Sequence, residues 1–107
     1  MQCKYSNVIA IKHGINAALI AEHIYSQLSQ SAIIRKDAPW IRMTQKQLTA
    51  VFPFLGKSAV RTALKKLIKD GILVREKFSR RFLDHAYYYS VTEYGGRVIQ
   101  NDKEYDR

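Results

Sequence analysis

The sequence predicts a mainly helical single domain, residues 1–107, with a small antiparallel β-sheet. Three segments carry apolar residues at helical spacing, and two short stretches rich in β-branched or aromatic residues follow the third segment. With 107 residues, 47% of them hydrophobic, the chain has the size and composition of one globular domain with a single core.

The chain is strongly basic, and the charge is unevenly distributed. Eighteen Lys and Arg against nine Asp and Glu give a net charge of +9. Segment 57–81 holds +7 of this charge, because its nine basic residues are opposed only by Asp70 and Glu76. Such an excess indicates a polyanionic partner, and it favours nucleic acid over an anionic membrane surface.

Residue chemistry argues against several other classes of function. Cys3 is the only cysteine, so no internal disulfide can form and a reducing, cytoplasmic location is expected. No apolar run reaches 18 residues and no signal peptide is visible, so no membrane partner is expected. Cys3, His13, His23 and His85 share no metal-ligand spacing, and Asp84 beside His85 lacks a nearby nucleophile. We therefore expect no cofactor, no metal and no enzymatic activity.

The first predicted helix lies in the region 8–31. It follows Gly14 and takes Asn16 as its N-cap. Its apolar side is made of Ile15, Leu19, Ile20, His23, Ile24 and Leu28. Residues 35–39 are predicted to form a loop and residues 40–43 a short strand.

A helix-turn-helix is predicted over residues 44–70. Thr44 and Gln47 have the spacing of a capping box at the start of the second helix, and Pro53 ends that helix. Ser58 is expected to cap the third helix, and Gly71 to end it. The predicted apolar side of the second helix is Leu48, Val51 and Phe52. The predicted apolar side of the third helix is Val60, Ala63, Leu64, Leu67 and Ile68.

The residues that follow predict a β-hairpin, 72–92, with strands at 72–78 and 87–92 and a basic loop between them. Residues 93–107 are expected to form a tail with a brief helix around Val98, because Gly95 and Gly96 interrupt the pattern. The predicted order is helix, strand, helix, tight turn, helix and hairpin, which is the order of a winged helix-turn-helix domain. In such a domain strand 40–43 can pair with the hairpin.

In such a domain the third helix would enter the major groove of double-stranded DNA with its polar side. Arg61 and Thr62 would meet base edges, and three lysines would meet phosphates. The start of the second helix would receive another phosphate, and the hairpin would grip the backbone or minor groove. The complete set of predicted DNA-binding residues is Thr44, Gln45, Lys46, Lys57, Ser58, Arg61, Thr62, Lys65, Lys66, Lys69, Lys77, Arg80 and Arg81.

Several of these segments resemble the winged-helix domain of phage replisome organisers and related prophage replication proteins. The resemblance covers about residues 6–94 and is carried by segments 14–20, 40–48, 52–55, 58–67 and 83–89. It implies origin-DNA contacts for Ser58, Arg61, Thr62 and Lys65. In that family a separate C-terminal domain recruits helicase-loading proteins, and these 107 residues leave no room for one.

Alternative functions remain open at the level of sequence. The domain could serve replication initiation or act as a small transcriptional regulator. The third helix could instead bind a protein, or Trp40 and the tyrosines 87–89 could stack on RNA or single-stranded bases. Alternation favours a core position for Tyr87 and Tyr89 and the opposite side for Tyr88. A homodimer through the first helix or the apolar patch 8–11 is also compatible with the sequence.

Overall fold

The computed structural model describes residues 7–35, 38–77 and 87–105, with side chains for 7–30, 32–34, 38–77 and 87–100. These residues form a mainly helical structure with a small four-stranded antiparallel sheet. In chain order the elements are α1 (Asn7–His13), α2 (Ile15–Ser31), β1 (Ile33–Arg35), β2 (Ala38–Met43), α3 (Gln45–Val51), α4 (Lys57–Lys69), β3 (Leu73–Glu76), β4 (Tyr87–Val91) and α5 (Glu93–Tyr105). Among the described helices, none has both the length and the apolar character needed to cross a membrane.

A glycine divides the N-terminal helical region into two helices. Gly14 has φ 98°, a conformation that residues with a Cβ rarely adopt, and it ends α1 and caps α2. The prediction of Asn16 as the N-cap is wrong, because the carbonyl of Gly14 accepts the first hydrogen bond of α2, from the amide of Ala18. The predicted patch 8–11 lies in α1, where Ile9 is buried and Ile11 is 88% exposed.

The four strands follow the order β1-β2-β4-β3. Strand β2 pairs with β4 and β4 with β3, which confirms that strand 40–43 joins the hairpin strands. The predicted loop 35–39 is wrong at both ends, because β1 and β2 pair directly, with Ile34 opposite Pro39. The φ of proline fits an extended strand, so Pro39 does not exclude one. Its carbonyl oxygen also accepts a hydrogen bond from Ser90 Oγ, at 2.6 Å.

The core lies between the helices and one side of the sheet. The predicted apolar side of α4 is confirmed, with Ile68 partly buried at its margin. Leu48 is the buried residue of α3, whereas Val51 is 45% exposed, contrary to prediction, because this two-turn helix packs along only one side. The fully buried side chains of the core include Ile20 and Ile24 of α2, Val60 and Leu67 of α4, Ile72, Leu73 and Ile99.

The aromatic strand β4 divides between core and surface. Tyr89 and Trp40 are buried, at 2% and 5% exposure, as the core interpretation predicts. Tyr87 is 36% exposed, so its predicted core position is wrong. It is the first residue of β4. His23 is half-buried with its ring edge-on to Phe52, and this burial lowers the pKa of its imidazole.

The helix ends in the central part of the chain agree with the sequence in three of four cases. Helix α3 ends at Val51 with Phe52 as its C-cap, just before Pro53, as predicted. Thr44 and Gln47 form the predicted capping box, with Gln47 N donating to Thr44 Oγ1 at 3.0 Å. Gly71 has φ 81° after the end of α4, as expected for a helix stop. The prediction of Ser58 as N-cap is wrong, because Gly56 takes that position and Ser58 is the second residue of α4.

The predicted tail is a helix of 13 residues, α5, which packs on the core through Ile99. Gly95 and Gly96 do not interrupt it. Gly95 lies against the backbone of Ile72, so closely that a Cβ would overlap the Ile72 carbonyl oxygen and lie 2.9 Å from its carbon. This glycine therefore permits the contact between α5 and the α4–β3 connection.

Replacing Gly95 and Gly96 by alanine, one at a time, separates the effect of a close backbone contact from the effect of low helix propensity. We expect Gly95→Ala to lower the free energy of unfolding by about 1–3 kcal/mol, because backbone must move apart. Gly96→Ala is the matched control. Its Cβ would meet only Val91 Cγ1, at 4.0 Å. It should raise stability by up to about 1 kcal/mol through helix propensity. Urea unfolding of both variants measures the difference, and equal effects would contradict a close approach at Gly95.

An ion-pair cluster joins the end of α1 to the end of α4. Asp70 caps α4 and accepts hydrogen bonds from His13 Nε2 at 3.0 Å and Lys12 Nζ at 3.2 Å. The hydrogen bond from His13, followed by the contact with Lys12, lowers the pKa of the Asp70 carboxyl. A lowered carboxyl pKa adds stability above the unfolded pKa, and that contribution is lost as the pH falls through the folded value.

Asp70→Asn should therefore lower Tm near neutral pH by about 2–4 °C, the size expected of a partly exposed surface ion pair in a chain of this length. The difference from wild type should shrink as the pH falls below 3.8, the ordinary pKa of an aspartate, and should vanish below the lowered pKa of folded Asp70, where that carboxyl is neutral as well. Thermal melts at pH 7 and pH 3 test this. A difference that persists undiminished at pH 3 would assign the effect to something other than charge.

Candidate nucleic-acid interface

The exposed side of α4 is cationic because the opposite side is fixed in the core. Taking 3.6 residues per turn, the exposed residues lie within about 70° of the direction opposite the buried ones. This set, which we name the cationic face, is Ser58, Arg61, Thr62, Lys65, Lys66 and Lys69, all exposed. Lys57 lies at its edge and is also exposed. Helix α4 thus carries five cations and no carboxylate.

The start of α3 lies beside the start of α4. Gln45 Nε2 donates a hydrogen bond to the Lys57 carbonyl oxygen at 3.0 Å. The Thr44 side chain belongs to the capping box, and Lys46 next to it is exposed. The side chain of Thr44 thus caps α3, that of Gln45 joins α3 to α4, and Lys46 supplies the charge at this point.

The sheet contributes cations to the same part of the molecule. Helix α3 begins directly after β2, and the last residue of β2, Met43, pairs with Tyr87 at the start of β4. Strand β3 ends there too, and we name this place the Tyr87 end of the sheet. The Cζ atom of Arg75 lies 4.4 Å from the centroid of the Tyr87 ring, and exposed Lys77 follows β3.

Tyr89 lies next to the same arginine. Its pKa is raised by burial, and a hydrogen bond and the charge of Arg75 oppose the rise. Arg75 therefore interacts with two tyrosines at once while its own side chain is exposed. Sequence reasoning did not select Arg75 as a site residue. The signal was its membership of the basic segment 57–81, but the contact with Tyr87 joins two strands and depends on their register.

A surface groove of about 400 Å³ runs along one flank of the cationic face. Ser58, Thr62 and Lys66 line it from α4, and residues 13–17 line it from the junction of α1 and α2. The groove is open to solvent, so its lining residues are continuous with the exposed surface of α4. It brings three of the predicted site residues together beside the first turn of α2.

Two predicted site residues, Arg80 and Arg81, lie outside the described residues, as do Cys3, Asp84 and His85. Within the described part of the chain, no group of three or more His, Cys, Asp or Glu side chains could hold a metal ion. No protein-family model, curated protein or solved structure matches the chain. The candidate interface therefore rests on the positions and charges of the described residues alone.

Proposed function

We propose that this chain binds double-stranded DNA as a winged helix-turn-helix domain, with α4 as the recognition helix and β3–β4 as the wing. The observation that carries the proposal is the cationic face of α4, which holds its charge on the side opposite the core. The element order and the pairing of β2 with β4 support the same arrangement. The proposed function involves no catalytic step.

The size and chemistry of α4 fit the major groove. A helix is about 10–12 Å across with its side chains, and the groove is about 12 Å wide. Arg61 lies in the second turn of α4, where its planar guanidinium can donate two hydrogen bonds to guanine O6 and N7. Lys65 and Lys69 follow one and two turns later and suit phosphates, because an ammonium is a point charge on a flexible stem.

The competing modes of binding have less support from the same surface. Single-strand binding by stacking would use Trp40 and the tyrosines of β4, but Trp40 and Tyr89 are buried. Arg75 covers the ring of Tyr87. A protein-binding α4 would not require five cations without a carboxylate. We place the domain in phage-type replication initiation, which the sequence resemblance supports, or in transcriptional regulation, since both use the same interface.

Selection of duplexes from a random pool at physiological salt tests the function. We expect one duplex sequence to be enriched and bound at least about 10³-fold more tightly than random duplex. Preference for single-stranded over duplex competitor, or no duplex binding at about 150 mM salt, would overturn the proposal. A site within the gene of a replication protein would favour initiation, and one over a promoter would favour regulation.

Two substitutions on the cationic face should have different effects. Arg61→Ala should weaken binding to the selected duplex by about 5- to 150-fold and relax base preference at one position. Lys65→Ala should weaken selected and random duplexes alike and reduce the slope of log K against log salt by about 0.9.

Arg97→Ala serves as the control, because Arg97 is an exposed arginine on α5 paired with Glu93 at 3.6 Å. It should bind both duplexes as the wild type does. Equal losses on selected and random duplex for Arg61→Ala would reject the base-reading role of that residue.

A further inference from the structure

We infer that Arg75 is a pre-positioned ligand for a backbone phosphate of duplex DNA, held in place by Tyr87 and Tyr89. The inference rests on the proposed function and deepens it. It assigns a fixed contact to the Tyr87 end of the sheet, whereas the sequence places the contacts of the wing at Lys77, Arg80 and Arg81.

The register places the three side chains on one side of the sheet. Arg75 is directly opposite Tyr89 in the β3–β4 pair, and Tyr87 is two residues before Tyr89 on the same strand. Successive residues of a strand alternate between sides, so all three point the same way. The guanidinium rests on the Tyr87 ring, with Cζ 4.4 Å from the centroid, and interacts with the Tyr89 hydroxyl.

These contacts leave donors for a ligand. A guanidinium has five N–H donors in a plane, and stacking uses its face and not its edge. None of the ion pairs between described residues includes Arg75. The neighbouring carboxylate, Glu76, pairs with Tyr88 in the register and so lies on the other side of the sheet. Within the part of the chain that the structure describes, Arg75 is therefore an exposed cation that forms no ion pair.

A fixed guanidinium loses less conformational entropy on binding than a flexible lysine does. An exposed long side chain loses rotamer freedom when it is immobilised on a ligand. Arg75 is already restrained by two aromatic partners, so it gives up less on binding. Arg75 lies at the Tyr87 end of the sheet, where β2 leads into α3, and this place suits a phosphate bordering the groove that would receive α4.

The experiment measures Kd for the selected and a random duplex over a range of salt, with Arg75→Lys, Arg75→Gln, Tyr87→Leu and Tyr87→Phe. Arg75→Gln should weaken both duplexes and lower the salt slope by about 0.9. Arg75→Lys should keep the slope, because it keeps the charge, but weaken both duplexes by about fivefold, because an ammonium does not form the fork. Arg97→Gln and Arg97→Lys are the matched controls and should leave Kd unchanged.

The tyrosine variants test positioning separately from charge. Tyr87→Leu should keep the salt slope and weaken binding about as much as Arg75→Lys, whereas Tyr87→Phe should restore wild-type Kd, because it retains the ring face. Far-UV circular dichroism and Tm verify folding of every variant. Ethylation interference adds a direct readout. One phosphate whose ethylation blocks the wild type should lose that effect in Arg75→Gln.

The outcomes separate this inference from the proposed function. Duplex binding by the wild type, together with wild-type Kd for Arg75→Lys and Tyr87→Leu, would overturn the phosphate ligand and leave the function standing. Absence of duplex binding by the wild type would overturn both.

Discussion

The rotation of α4 about its own axis is the constraint on which the rest of the structure depends. Val60 and Leu67 are fully buried, and Ala63 and Leu64 lie beside them, so the helix can meet α2 and the sheet in only one orientation. Burial of each large aliphatic side chain contributes about 1.5–3 kcal/mol, whereas a solvated lysine contributes little wherever it points. The apolar residues therefore decide where the cations go. The position of the cationic face is therefore set by the packing of the apolar residues and not by interactions of the charged ones.

Features that depend on nearby residues were predictable from the sequence. The capping box of Thr44, the buried side of α4 and the stop at Gly71 each depend on residues a few positions apart, and all three are confirmed. The wrong predictions involve distant partners or backbone conformation. Gly95 looks like a helix breaker until Ile72, 23 residues earlier, is seen against it. The polar Asn16 and Ser58 satisfied a capping rule, but glycines two residues earlier took those positions.

The candidate site likewise combines features that nearby residues determine with features that depend on distant residues. Periodicity alone placed the cations of α4 on one side, because that side is defined by residues of the same helix. It could not show that Gln45 bonds to the Lys57 carbonyl, which brings the starts of two helices together. Nor could alternation show how far the helices cover the sheet, which is why Tyr87 is exposed and stacks with Arg75. The sequence thus identifies a basic helix, while the contacts identify the surface around it.

Thr92 links the connection between α4 and β3 to α5. Its hydroxyl donates to the Gly71 carbonyl and accepts from Gly95 N at 2.9 Å, and its amide donates to the Ile72 carbonyl at 3.0 Å. These hydrogen bonds join the α4–β3 connection to the end of β4 and the start of α5. In the proposed function they would restrain the recognition helix relative to the wing. In the proposed complex a restrained domain would change its shape little on binding, so the duplex would have to bend instead. Flexible pyrimidine–purine steps would then be favoured at base pairs that no side chain touches.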